Sequence, residues 1–203
     1  VALLRRDRQR GERVRVEIFR TLMATDPADV FALMHAHEVL VHVLPEADGE
    51  GRLKMLSWLD SRAARIDSVA PDPVRRLAAL LATDSDGAAR VAERLRLSNR
   101  QRDRLIAMVV GPAVHPALPA LGVVRLLRRS GRETVRDLAL LGWAGELAAM
   151  SRQTRGRNTR WVELLHGIDA WQPVVFPLLG RDAIALGVAR GPRVGALLRQ
   201  VEE

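Results

Sequence analysis

The chain has 203 residues and 22.5 kDa, enough for one large domain or two small ones. Apolar residues make up 48% and aromatics only 3%, so a core must be built from Leu, Val, Ala and Ile. The absence of cysteine excludes disulfides, thiolate chemistry and cysteine-ligated zinc, and no apolar run reaches the roughly 18 residues of a membrane span.

The net charge is +8 and the pI about 11.4. All but one of the 32 Lys and Arg residues are arginine, Lys54 being the exception. The charge is uneven. Residues 1–25 hold seven arginines against three acids, and residues 26–70 hold four bases against eight acids. Basic ends around an acidic segment fit either a polyanion lying along part of the surface or a solvated, arginine-rich exterior. No signal-peptide pattern opens the sequence, which starts on Val1 and reads as an excised piece with no membrane partner and a cytoplasmic location.

Gly11–Ala24 has helical periodicity: Val14, Ile18 and Leu22 form a stripe widened by Phe19 and Met23. On another face Arg13 and Glu17 are spaced to pair at i, i+4. Asp26-Pro27 starts a second helix to about Glu38, expected to bury Val30, Phe31, Leu33 and Met34. Leu40–Leu44 reads as a short buried turn or helix before Pro45. Leu53–Ile66 forms the next helix, with Leu53, Leu56, Leu59, Ala63 and Ile66 inward.

Asp72-Pro73 opens a helix to about Ala82, with Val74, Leu77, Ala78, Leu80 and Leu81 inward. Asp86 is expected to cap Gly87–Leu97, and Ser98 to cap Asn99–Val110. Pro119–Ser130 and Arg132–Met150 form a pair turned at Gly131. Ser151–Thr159 reads as a polar, mobile loop whose Arg152, Arg155 and Arg157 are a secondary candidate contact for RNA, followed by a helix over Arg160–Trp171. No segment has a strand's alternation. The expected fold is all-α, an elongated array of about ten short helices. Its divisions are residues 1–70, a body at 71–150, and a tail at 151–203.

Several chemistry-like patterns have simpler explanations. Asp84-Ser-Asp86 resembles a two-metal carboxylate pair but falls in a helix-starting turn. His35, Glu38 and His42 could share a helical face, yet read as ordinary polar positions because the segment after them bends. Trp58, Trp143, Trp161 and Trp171 sit at helical spacing among leucines and read as core. There is no phosphate-binding P-loop and no nucleophile elbow. These patterns give no catalytic residues, metal ligands or cofactor site within the chain.

The tail, Gly180-Arg-Asp-Ala-Ile-Ala-Leu-Gly187-Val-Ala-Arg-Gly191-Pro-Arg-Val-Gly195, predicts a tight helix–turn–helix. Gly187 suits a left-handed C-cap and Pro192 suits a first helical position. Arg181, Arg190 and Arg193 lie near the turn. With the Gly191 backbone they make a phosphate-contact candidate, and a hairpin that only closes the core is the alternative.

This tail resembles that of bacterial class II tRNA nucleotidyltransferases, the CCA-adding enzymes and the related poly(A) polymerases. Ala189-Arg190 stands where that family often has a proline pair. Gly11-Glu12-Arg13-Val-Arg-Val-Glu17 is similar to the family's neck motif, with Glu12, Arg13 and Glu17 at matching positions and Gly11 replacing its serine. The resemblance runs from about Gly11 to Glu203. It implies neck, body and tail that grip the acceptor and T-arm backbone of tRNA. An upstream catalytic head would hold Mg with CTP or ATP. CCA addition and poly(A) addition both remain open, as does a stand-alone helical scaffold that binds protein.

Overall fold

The computed structural model describes residues 2–63, 69–149, 155–173, 180–187 and 191–202, without the side chains of 2–10, 62–63, 155–157 and 198–202. The chain divides into two compact units, Val1–Trp171 and Gln172–Glu203. Among the described residues the fold is all-α. Its helices are α1 (Ala2–Leu22), α2 (Pro27–Ala36), α3 (Leu40–Val43), α4 (Glu50–Trp58), α5 (Pro73–Leu80), α6 (Ser85–Arg94) and α7 (Asn99–Val110). They continue with α8 (Ala120–Ala149), α9 (Arg155–Ala170), α10 (Gly180–Ala185) and α11 (Pro192–Glu202). A π-turn, Leu59–Ala63, follows α4, and one isolated bridge joins Ala47 to Leu81. No described helix is long and apolar enough to cross a membrane.

In the first unit α5 is the central element. Every residue from Val74 to Leu80 is buried, arginines included. It packs against α4 and α7; α4 also packs on α2 and α8, α6 on α7, and α9 on α8. The Asp72 side chain accepts from the Arg75 N–H at 2.7 Å, so the Asp-Pro start is as expected. At the other end Leu81 turns extended and α5 stops at Leu80. Arg52 takes two of its orphan carbonyls and one just beyond the helix. Arg52 donates Nε to Ala79 O at 2.8 Å and Nη2 to Ala78 O and Leu81 O at 2.9 and 2.6 Å. Asp48 and Gly49 add N–H bonds to Leu80 O. A Cβ on Gly49 would sit 2.3 Å from Ala79 O, so only glycine lets α4 begin this close to α5. This contact starts α4 at Glu50, three residues before the expected Leu53.

Ser98 and Gln101 form a full capping box on α7. On α6 the cap is Asp84, which accepts from Gly87 N–H at 2.8 Å, and not Asp86. Asp86 lies inside the first turn, where its charge suits the helix dipole. Gly131 breaks α8 with φ 77° and ψ 159°, at the expected position.

Burial on α1 and α2 departs from the expected pattern. Ile18 and Leu22 are buried, but Met23 is exposed. On α2 the inward residues are Pro27, Ala28 and Phe31 with part of Met34, whereas Val30 and Leu33 are 42% and 59% exposed. A helix buries only one stripe, and Phe31 sets it. Glu38 takes a positive φ of 58°, ending α2 at Ala36, two residues early.

Trp143 and Trp161 are buried and stacked between α8 and α9, with ring centres 6.1 Å apart. Trp171 is partly buried, and Trp58 is exposed, against its assignment to the core. Arg155–Thr159 is the first part of α9, so the expected polar loop does not extend over these residues. Trp143 Nε1–H reaches Asn158 Oδ1 at 3.4 Å, and such packing overrides the weak helix propensity of Gly156, Asn158 and Thr159.

Candidate nucleic-acid interface

In the second unit α10 ends at Ala185, and Gly187 takes φ 93° with its N–H bonded to Ile184 O, as a glycine C-cap requires. Gly191 takes φ 147°, and Pro192 opens α11. Ala183 and Val194 are buried, and a Cβ on Gly180 would meet Val194 at 3.5 Å, an ordinary contact between the two helices. Arg181 is 81% exposed and only 3.8 Å from its neighbour Asp182. Arg193 is exposed in the first turn of α11, beside the Gly191 backbone. α10 and α11 pack on one another, so Arg181, Gly191 and Arg193 belong to one small unit with both guanidinium groups open to solvent. Arg190, and Arg152 of the polar stretch, lie outside the described residues. For Arg155 and Arg157 the backbone is helical, at the start of α9.

On α1, Glu12 is half-buried and Arg13 exposed. The expected Arg13–Glu17 pair does not form. Glu17 instead pairs with Arg20 at 3.1 Å, one turn on, and both are largely exposed. Such a pair contributes only tenths of a kcal/mol. The helix is held by its neighbour: Arg15 Nη1 donates to Arg96 O at 2.6 Å, and a Cβ on Gly11 would lie 2.8 Å from Arg94 O. Glycine at this position, where the resembling motif has serine, matches that close approach.

Two arginines are buried and several more are half-buried in ion pairs, which the sequence did not reveal. Arg76 is buried with all five N–H groups used. It donates to both oxygens of buried Asp60 at 3.0 and 2.6 Å, to Leu22 O and Ala24 O, and to Ser61 Oγ. Arg75 Nη1 and Arg104 Nε share Asp137 at 3.0 and 2.8 Å, and Arg104 Nη1 reaches Asp72 at 2.9 Å. Burial alone would raise the Asp72 carboxyl, but the Arg75 N–H and the Arg104 guanidinium hold it below the usual carboxylate range. Burial likewise disfavours charged Arg104, yet Asp137 and Asp72 raise it above an ordinary arginine. Arg94 forks onto Glu46, and Arg136 pairs with Asp169. These arginines are structural. Arg125, Arg128 and Arg129 on the first half of α8 are exposed, as is Arg160 on α9.

His35, Glu38 and His42 do not share one continuous helix, since α2 ends between them. His35 meets other partners, with Nδ1 2.9 Å from Glu50 Oε1 and Asp48 near both. The Glu50 hydrogen bond and charge raise the His35 pKa above the 6.5 of an ordinary histidine. The pair is therefore complete at acid pH and lost as the pH rises through the folded-state pKa. An NMR titration should place the His35 imidazole above 6.5, and Glu50→Gln should bring it back; an unmoved midpoint in the variant would remove Glu50 as the cause. Asp84 is accounted for by its cap bond, so the Asp-Ser-Asp string is a helix start.

No family model matches the sequence. A protein of Rhodospirillum rubrum named "Uncharacterized 28 kDa protein in petA 5'region" is similar, with 41% identity over 75 residues. The similar stretch covers 37% of this chain and 29% of that protein.

Proposed function

We propose that this chain is the tRNA-gripping helical portion of a tRNA nucleotidyltransferase that adds CCA to tRNA 3′ ends, with nucleotide transfer carried by a catalytic head outside these residues. The reading rests on the tail. Its Gly-Arg-Asp and Gly-Pro-Arg strings resemble that family, and they carry exposed Arg181 and Arg193 beside a turn with two positive-φ glycines. Guanidinium groups and backbone N–H at a helix start bind phosphate without reading bases, which suits a protein that accepts many tRNAs. In the same reading Glu12, Arg13 and Glu17 lie on the supporting neck helix, and Mg with CTP or ATP belongs to the head. Poly(A) addition is the sister activity within the same family.

A second reading, a scaffold that binds protein, draws on the exposed Val30, Leu33, Val39 and Val41. Binding to bulk tRNA across a salt series separates the two. The RNA reading expects log K to fall steeply with log salt, by about 0.9 for each duplex phosphate neutralised. Absence of binding at low salt, or a flat dependence, would favour the scaffold.

A further inference from the structure

We propose that His35, Asp48 and Glu50, at the junction of α2 and α4, form a binding site for one zinc-class divalent cation. One ligand atom from each lies within 4.8 Å of the other two, and His35 Nδ1 is 2.9 Å from Glu50 Oε1. The ligand atoms of a tetrahedral zinc stand roughly 3.3 Å apart, a spacing that those two distances bracket. His35 and Asp48 are exposed, and Glu50 is half-buried, so a cation can enter from solvent. The backbone that carries the two acids is held in place. Asp48 and Gly49 N–H bond to Leu80 O at 3.1 and 2.9 Å, and Ala82 N–H bonds to Glu46 O at 2.9 Å. Gly49, between the two acids, sits close against Ala79 O, and Glu50 begins α4. His35 lies in the last turn of α2, which packs on α4. The three ligands thus stand on elements already fixed against one another, and side-chain rotation is enough to close them on an ion.

Charge and ligand chemistry select the ion. Elsewhere this chain answers buried or half-buried acids with arginine: Glu46 with Arg94, Asp60 with Arg76, Asp72 with Arg104, Asp137 with Arg75 and Asp169 with Arg136. Asp48 and Glu50 have no arginine or lysine partner among the described residues, and Glu50 meets only the imidazole of His35. Two neighbouring carboxylates beside a histidine leave negative charge that a divalent cation balances. An imidazole nitrogen favours zinc and its transition-metal neighbours over magnesium and calcium, which take oxygen ligands. Three protein ligands leave the fourth tetrahedral position to water, as catalytic zinc sites do and structural ones do not. His35 and Asp48 also line a cavity of about 670 Å³ with Glu38, Leu40 and Val41, so there is room for a molecule beside the ion.

The site goes beyond the tRNA reading and does not rest on it, so its test involves no RNA. Zn²⁺ is titrated by calorimetry into the full chain after treatment with a chelator, with Mg²⁺ as comparator, and the imidazole resonances are followed by NMR. The expected result is one Zn²⁺ per chain, a shift of the His35 resonances ahead of those of the other histidines, and no binding of Mg²⁺ at the same concentrations. His35→Ala, Asp48→Asn and Glu50→Gln should each weaken Zn²⁺ by about tenfold or more, since loss of even a supporting hydrogen bond to a ligand costs that much. His35 and Asp48 are exposed, and Asp48→Asn keeps the N–H bond to Leu80 O, so these variants keep the fold, as circular dichroism would verify. His166→Ala, at an exposed position on α9, should leave the affinity unchanged. Unchanged affinity in His35→Ala and Asp48→Asn, equal affinity for Mg²⁺, or shifts spread evenly over all the histidines would overturn the proposal.

Discussion

Asp60→Ala should cost about 3–5 kcal/mol of folding stability, because it strands a buried guanidinium. The side chains of Asp60 and Arg76 are 0% and 1% exposed. Arg76 ties the end of α1, through Leu22 O and Ala24 O, to the π-turn that carries Asp60. Removal of the carboxylate leaves the positive charge with neutral acceptors only. Urea unfolding at neutral pH reads the change directly. The paired replacement Asp60→Leu with Arg76→Met removes both charges and should recover much of the loss, since well-packed apolar groups often match a buried ion pair. A single variant that loses less than about 1 kcal/mol would show that the charge is solvated in the folded protein.

Asp137→Ala should have an effect of the same order, about 3–5 kcal/mol. Its carboxylate is 1% exposed and serves two guanidinium groups from α5 and α7. Arg75 suffers more. It is 5% exposed and its Nε already lacks a partner, whereas Arg104 is 20% exposed and keeps Asp72. In a double-mutant cycle Asp137 should therefore couple more strongly to Arg75 than to Arg104. Equal couplings, or none, would contradict the burial argument. Thermal melting checks the ranking.

What was legible in the sequence was local. Asp72-Pro73, Ser98, Gly131 and Gly187 each mark a helix end or break through the local preferences of one or two residues, and each does so in the structure. The stacked Trp143 and Trp161 were readable from their leucine-rich surroundings. What escaped depends on distant partners. Asp60 and Arg76 are 16 residues apart, and Arg75 and Asp137 are 62 apart. A lone arginine in a basic chain looks like surface until its partner is known. Periodicity locates a stripe but not which neighbour covers it, so Val30, Leu33 and Trp58 were placed inside while the fold exposes them. In the tail, Gly187, Gly191 and Pro192 were readable, because backbone conformation alone selects those residues.

The most direct measurement compares tRNA binding by the wild type with that of Arg181→Ala, Arg190→Ala, Arg193→Ala across a salt series, with folding of the variant verified by thermal melting. If each guanidinium neutralises one duplex phosphate, each loss should flatten log K against log salt by about 0.9, and affinity at low salt should fall. A folded triple variant that binds tRNA with unchanged affinity and an unchanged slope would contradict the account and make the tail a hairpin that only completes its own small core.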